Sequence, residues 1–191
     1  MKVVLTGASG CVGQALVLEL AKAGHEVLAI VRPGTTGLRP ACSFATIEAD
    51  LTGPGFAARL PGEIDCVLHV AQSRRFREFP DAASEVFAIN TAATFQLAEY
   101  ARKAKAKSFV FTSTGSVYVP NLEPVGEDAP TAPASFYPAT KLAAENLLAP
   151  FAPLLPVAIL RLFYVFGPGQ SKMLVDGIAD RIRKGDRTSV V

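Results

Sequence analysis

The sequence predicts an α/β protein built as a three-layer, doubly wound parallel sheet, the Rossmann arrangement. Three observations carry that expectation. Short apolar runs alternate with helix-patterned segments. The first run breaks into three glycines spaced three apart, and the run at residues 65–71 is mostly apolar without alternation, as suits a strand covered on both faces. Alternation of this kind implies right-handed crossovers between parallel strands.

The first strand is Val3-Val4-Leu5-Thr6, followed by Gly7-Ala8-Ser9-Gly10-Cys11-Val12-Gly13 and then helix-patterned Gln14 to Leu20. Gly7 suits turn dihedrals that a side chain resists, Gly10 lets the backbone approach phosphate oxygens, and Gly13 lets helix pack on strand. Unpaired N–H groups and the positive end of the helix dipole would attract the anion. Such spacing alone also arises in turns that hold no ligand. Here the strand before, the helix after and a second strand at residues 24–31 supply the context that dinucleotide binding requires.

Residues 33–41 carry Pro, Gly and Thr and read as a loop; residues 44–49 form a third strand ending at Asp50-Leu51. After an indistinct stretch through Pro61, residues 65–71 are the fourth strand. Residues 81–105 are helical, with Val86, Ile89, Ala93, Leu97 and Ala101 recurring every three or four positions. Residues 108–112 are the fifth strand, 120–133 a loop rich in proline and acid, 136–148 a helix stopped near Pro150, and 157–161 the sixth strand. A final helix is expected from residue 171 to 183.

At 191 residues the chain reads as one domain with enough length for a sizeable core. Half its residues are hydrophobic and 19% are charged, which speaks against disorder. A net charge of +2, with no basic cluster larger than Arg74-Arg75-Phe76-Arg77, leaves no nucleic-acid footprint, and that run reads as a solvated loop. Cys11, Cys42 and Cys66 are odd in number and lack metal-ligand spacing, so no metal site is expected and a reducing compartment fits. No cleavable signal and no membrane-length apolar run is seen, and the expectation is a soluble cytoplasmic protein.

Tyr137-Pro138-Ala139-Thr140-Lys141 carries further chemistry. Four residues apart on a helix is one face, so phenol and ammonium serve the same small volume. A free tyrosine titrates near pH ~10, and each unit of lowering takes about 1.4 kcal/mol of differential stabilisation. Tyr-x-x-x-Lys is commonly just a solvated face. Its place here, on the helix after the fifth strand, lets it reach the carboxyl edge where ligands bind in such sheets. The fifth strand ends in the hydroxyl cluster Thr112-Ser113-Thr114, which can orient a substrate oxygen or simply shape a turn.

These residues together resemble the short-chain dehydrogenase/reductase superfamily, and more closely its extended branch, the NAD(P)-dependent epimerase/dehydratases of nucleotide sugars. The matching pieces are Thr6 to Gly13, Asp50-Leu51, His69-Val70-Ala71-Gln72, Asn90 to Thr94, Ser113 to Tyr118, Tyr137 to Lys141 and Arg161 to Gly169, in family order. The resemblance implies that Gly7, Gly10 and Gly13, with Ser9, Cys11 and Val12 between them, bind the pyrophosphate. It places Asp50 and Leu51 at the adenine and Val70, Ala71 and Gln72 beside the cofactor. It also implies a catalytic set of Thr114, Tyr137 and Lys141, with Tyr137 and Lys141 also touching the cofactor. Asn90 falls at a family asparagine, with helix packing an equal alternative. A homodimer through the 81–105 and 136–148 helices follows from the same resemblance.

Three departures qualify it. No acid lies between Val27 and Ile47, and the second strand ends in Val31-Arg32. Arg32 suits a 2′-phosphate, so NADP is preferred with NAD possible. Tyr164 stands where many sugar-nucleotide members have asparagine, and the chain ends at Val191, before the usual substrate lobe. The expectation is an NAD(P)-dependent oxidoreductase or epimerase acting on a small-molecule substrate, a nucleotide sugar being one candidate, without nucleic-acid or membrane partners. The alternative is a dinucleotide-binding or sensor module that acts through a protein partner without turnover.

Overall fold

Strands form where the apolar runs predict them, and they pair into one sheet. In the computed structural model, which describes residues 1–35, 44–167 and 174–185, these are β1 (Lys2–Thr6), β2 (Glu26–Val31), β3 (Ala45–Glu48), β4 (Cys66–His69), β5 (Ser108–Thr114) and β6 (Val157–Leu162). Their order is β3-β2-β1-β4-β5-β6, every described pair of strands being parallel. The chain winds outward from β1 to β3, returns to β4, and winds outward again. The order therefore reverses between β1 and β4, and a crevice opens beyond their carboxyl ends.

Helices α1 (Cys11–Lys22), α2 (Ala83–Phe87), α3 (Ala93–Lys103), α4 (Phe136–Leu148) and α5 (Leu174–Arg183) complete the described elements, with short 3-10 turns between some of them. Two cores make the three layers. Val4, Val67, Phe109 and Phe111 pack with Leu97 and Ala101 of α3 and Leu148 of α4. Leu5, Ala29 and Val31 pack on the other face with Val17 of α1. The bounds of α4 match the sequence reading. Part of the expected 33–41 loop, Cys42, Pro168 and Gly169, and the first three residues of the expected 171–183 helix lie outside the described residues.

The helix expected over residues 81–105 is α2, a π turn at Ala88–Ala92, and α3 in succession. Buried polar side chains account for the widened turn. Thr94 Oγ1 donates to the Asn90 carbonyl at 2.8 Å, while Thr91 Oγ1 leaves its own helix for the Thr140 carbonyl on α4 at 2.9 Å. Asn90 Nδ2 donates to Thr140 Oγ1 at 3.1 Å, so the helix-packing alternative holds for its side chain. At the sheet margin β6 has one strand neighbour among the described residues, and Ala158 and Leu160 along it are exposed.

Two glycines set how closely the first turn packs. Gly7 has φ +76°, and a Cβ there would lie 2.7 Å from the Ala71 nitrogen. A Cβ on Gly13 would lie 2.0 Å from the Gly7 carbonyl oxygen and 2.7 Å from Ala8 Cα, all of it backbone that cannot turn aside. Gly13→Ala is therefore expected to destabilise the fold by about 3 kcal/mol or more. Urea denaturation with an unchanged midpoint would contradict this packing.

Candidate functional site at the carboxyl edge of the sheet

The site begins with the amides of α1. Gly10 is its N-cap, offers no side-chain cap, and takes the first helical N–H bond from Gln14 at 2.9 Å. The N–H groups of Cys11, Val12 and Gly13 precede that bond, and no acid stands in the first turn to repel an anion. Gln14 Nε2 also ties back to the Ser9 carbonyl at 3.0 Å, which stiffens the loop. A Cβ on Gly10 would meet only the Gly7 oxygen, at 3.3 Å, so the outer side of the turn is open to a ligand. This cradle fits a dinucleotide pyrophosphate.

β4 runs beside β1 and delivers Val70, Ala71 and Gln72 to the same edge. Thr6 Oγ1 accepts the N–H groups of Val70 and Ala71, each at 3.1 Å, so its own proton goes to His69 Nδ1 at 2.7 Å. That leaves the His69 hydrogen on Nε2. Burial, reinforced by the nearby Lys141 charge, pushes His69 down to about 3, and the ring is neutral at physiological pH.

Tyr137, in the first turn of α4, donates its hydroxyl to Gln72 Oε1 at 2.8 Å. Its ring lies 4.9 Å from that of Phe76. Burial pushes the phenol above its ordinary value, and the Thr114 hydroxyl partly offsets this. Thr114 is buried at the end of β5, where its Oγ1 accepts the Ser116 N–H at 3.2 Å. A groove of about 440 Å³ opens just past it, lined among others by Gly115, Ser116, Tyr118 and Phe163.

Lys141 is fully buried. Its Nζ donates to the Thr112 carbonyl at 2.9 Å and lies 4.7 Å from the centre of the Phe111 ring. A buried ammonium must find an acceptor, and the strand carbonyl and ring face provide one. Burial lowers it to about 7 against the opposing pull of Glu145. The described hydrogen bonds of Tyr137 and Lys141 go to different partners, although one helix carries both to one edge.

Arg32 and Asp50 follow β2 and β3, which pair as far as Val31 and Glu48. They lie close enough for Arg32 to lower the Asp50 carboxyl, after the stronger effect of its hydrogen bonds from Thr52. Leu51, expected beside adenine, has its side chain in the core cluster.

A polar cluster behind the site was not foreseen. Glu145, one turn beyond Lys141 and almost fully buried, takes two hydrogen bonds from Arg161 Nε, one from Arg161 Nη2 at 2.7 Å, and a short one from Ser113 Oγ. Arg161 also lies 4.7 Å over the Tyr118 ring, and its Nη1 reaches the Glu127 carbonyl at 3.0 Å. The signal available was an arginine inside an apolar strand, facing a glutamate four residues past Lys141. Glu145→Gln removes the buried charge that answers Arg161 and is expected to cost about 3 kcal/mol in urea denaturation. A loss below about 1 kcal/mol, the range of an exposed pair, would refute the reading of this cluster as a structural tie.

The comparisons with known proteins agree with this geometry. The uncharacterized UDP-glucose epimerase YtcB of Bacillus subtilis is 32% identical over 190 residues, covering 89% of this chain and 58% of the relative. The WbmG enzyme of Bordetella bronchiseptica, solved with NAD, superposes with a TM-score of 0.86 at 29% identity, covering 98% of this chain and 61% of that one. MoeE5, solved with UDP-glucose and NAD, gives a TM-score of 0.82 at 33% identity, covering 97% and 62%. The chain thus spans about three fifths of the length of these relatives. A family model matches residues 3–191, and on that match the chain belongs to the NAD dependent epimerase/dehydratase family.

Proposed function

We propose that this protein binds NAD along the carboxyl edge of its sheet and takes part in epimerase-type redox chemistry on a nucleotide sugar. One observation carries the reading. Two adjacent residues join the phosphate turn to the phenol: Ala71 packs against Gly7, and Gln72 holds the Tyr137 hydroxyl. Dinucleotide cradle and proton-transfer group are thereby fixed in one frame, as proximity catalysis requires.

When bound, the nicotinamide ring supplies hydride transfer. Tyr137 Oη gives a proton to a carbonyl oxygen or takes one from a hydroxyl, and Thr114 Oγ1 orients that oxygen. Lys141, titrating near neutrality, supplies a positive charge on the inner side of α4. The groove past Thr114 falls within the usual size of a small-ligand pocket.

NAD is the cofactor proposed first. The preference for NADP rested on Arg32, whose charge is already partly met by Asp50, and WbmG and MoeE5 were each solved with NAD. Phe87, Phe95 and Leu147 expose apolar side chains on α2, α3 and α4, which supports a homodimer through these helices. Cys11 and Cys66 are free thiols, in keeping with a cytoplasmic setting, and no described helix is long and apolar enough to cross a membrane.

The engagement of Lys141 with Thr112 favours a second reading, in which dinucleotide binds without turnover and the protein acts through a partner. Gly10→Ala separates binding from folding. It should leave the urea midpoint nearly unchanged yet weaken NAD by tenfold or more in calorimetric titration, and undiminished NAD affinity would remove the cradle from the proposal. Tyr137→Phe should keep NAD affinity and lower turnover of UDP-glucose by at least a hundredfold. A wild type that binds NAD without turning over any sugar nucleotide would favour the second reading.

A further inference from the structure

The basic run Arg74-Arg75-Phe76-Arg77, which reads in sequence as a solvated loop, stands at the mouth of the site. Its middle is built rather than loose. Ser73 is buried, donates to Glu85 at 2.6 Å and accepts the Arg75 N–H at 3.0 Å. Arg75 is itself neutralised by Glu78 at 2.7 Å and Glu85 at 3.5 Å. Farther along, Phe79 stacks on Phe136, the first residue of α4, at 5.0 Å.

These ties press Phe76 onto the Tyr137 ring, and the Arg77 guanidinium lies over the Phe76 ring at 5.0 Å from its centre. Phe76 thus touches both the Arg77 guanidinium and, at a tilt of 53°, the ring of the proton-transfer group. Arg77 can be no farther from that phenol than the two spacings laid end to end. Arg74 and Arg77 are exposed and have no carboxylate partner among the described residues. A planar cation held on a ring face keeps its edge donors free, and those donors match the paired oxygens of a carboxylate or phosphate.

We propose that Arg77, held in place by Phe76, is a specificity-determining residue that binds an anionic oxygen group on the substrate a few atoms from the carbon served by Tyr137. The inference rests on the nucleotide-sugar reading above. Two sources of such oxygens exist on that substrate class, a sugar carboxylate and the nucleotide diphosphate, and the test separates them.

Binding of UDP-glucose and UDP-glucuronic acid is measured by calorimetry on the full chain saturated with NAD, for wild type, Arg77→Gln, Arg77→Lys and Phe76→Leu. Arg77→Gln should weaken the anion-bearing ligand about tenfold, Arg77→Lys less, and Phe76→Leu in parallel with Arg77→Gln. Loss confined to UDP-glucuronic acid assigns Arg77 to the carboxylate, whereas equal loss for both ligands assigns it to the diphosphate. Unchanged affinity for both in Arg77→Gln overturns the proposal, as does a wild type that binds NAD but neither sugar nucleotide. A wild type that does not bind NAD strikes instead at the function proposed above. NAD affinity and thermal midpoint should be the same in Arg77→Gln as in wild type, since Arg77 is exposed and its described contact is the Phe76 ring.

Discussion

The contact of bare backbone with bare backbone at the start of the chain is the constraint from which the site follows. The Gly13 Cα comes so near the Gly7 carbonyl that no side chain fits between them, and Gly7 in turn lies too near the Ala71 backbone for a side chain. That closeness brings the open end of α1 to the carboxyl ends of β1 and β4. Thr6 fastens the junction from below through both following amides of β4 and the neutral ring of His69. Once Ala71 is fixed, Gln72 is fixed with it, and the phenol of Tyr137 has its partner.

The second support is polar and lies inside. α4 carries Tyr137, Thr140, Lys141 and Glu145 along its inner side, and each finds a partner on a different element. These are Gln72 after β4, Asn90 in the π turn, Thr112 of β5, and Arg161 of β6 with Ser113. Four attachments to four segments leave the helix little freedom to rotate or slide. Burying charge in this way is costly unless every group is answered, so the network specifies the pose of α4 more than it adds to stability.

Much of this was legible in the sequence and some was not, for physical reasons. Glycine spacing between a strand and a helix is a backbone requirement, so it survives as a pattern of letters, and Gly7, Gly10 and Gly13 stand where that pattern placed them. The α4 helix was equally legible because Pro150 and a run of good helix formers define it locally. By contrast, the π turn at Ala88–Ala92 depends on hydroxyls reaching another helix, which no local propensity records. The Phe76 contact with Tyr137 joins residues 61 apart, and a basic run looks the same whether it faces solvent or a reaction site. For Lys141 only the helix face it shares with Tyr137 was visible in the sequence, because the carbonyl that holds its ammonium belongs to a distant strand.

The outer margin of β6 has a consequence of its own. A strand paired on one side offers a ladder of amide donors and carbonyl acceptors on the other. Among the described residues β6 has one strand neighbour, and Ala158 and Leu160 along it are exposed. Such a rim is a template on which any extended segment of compatible pattern can lie down, and natural folds commonly guard it with charge, proline or a covering element. Leu160→Lys would supply a guard of that kind at the exposed margin of β6.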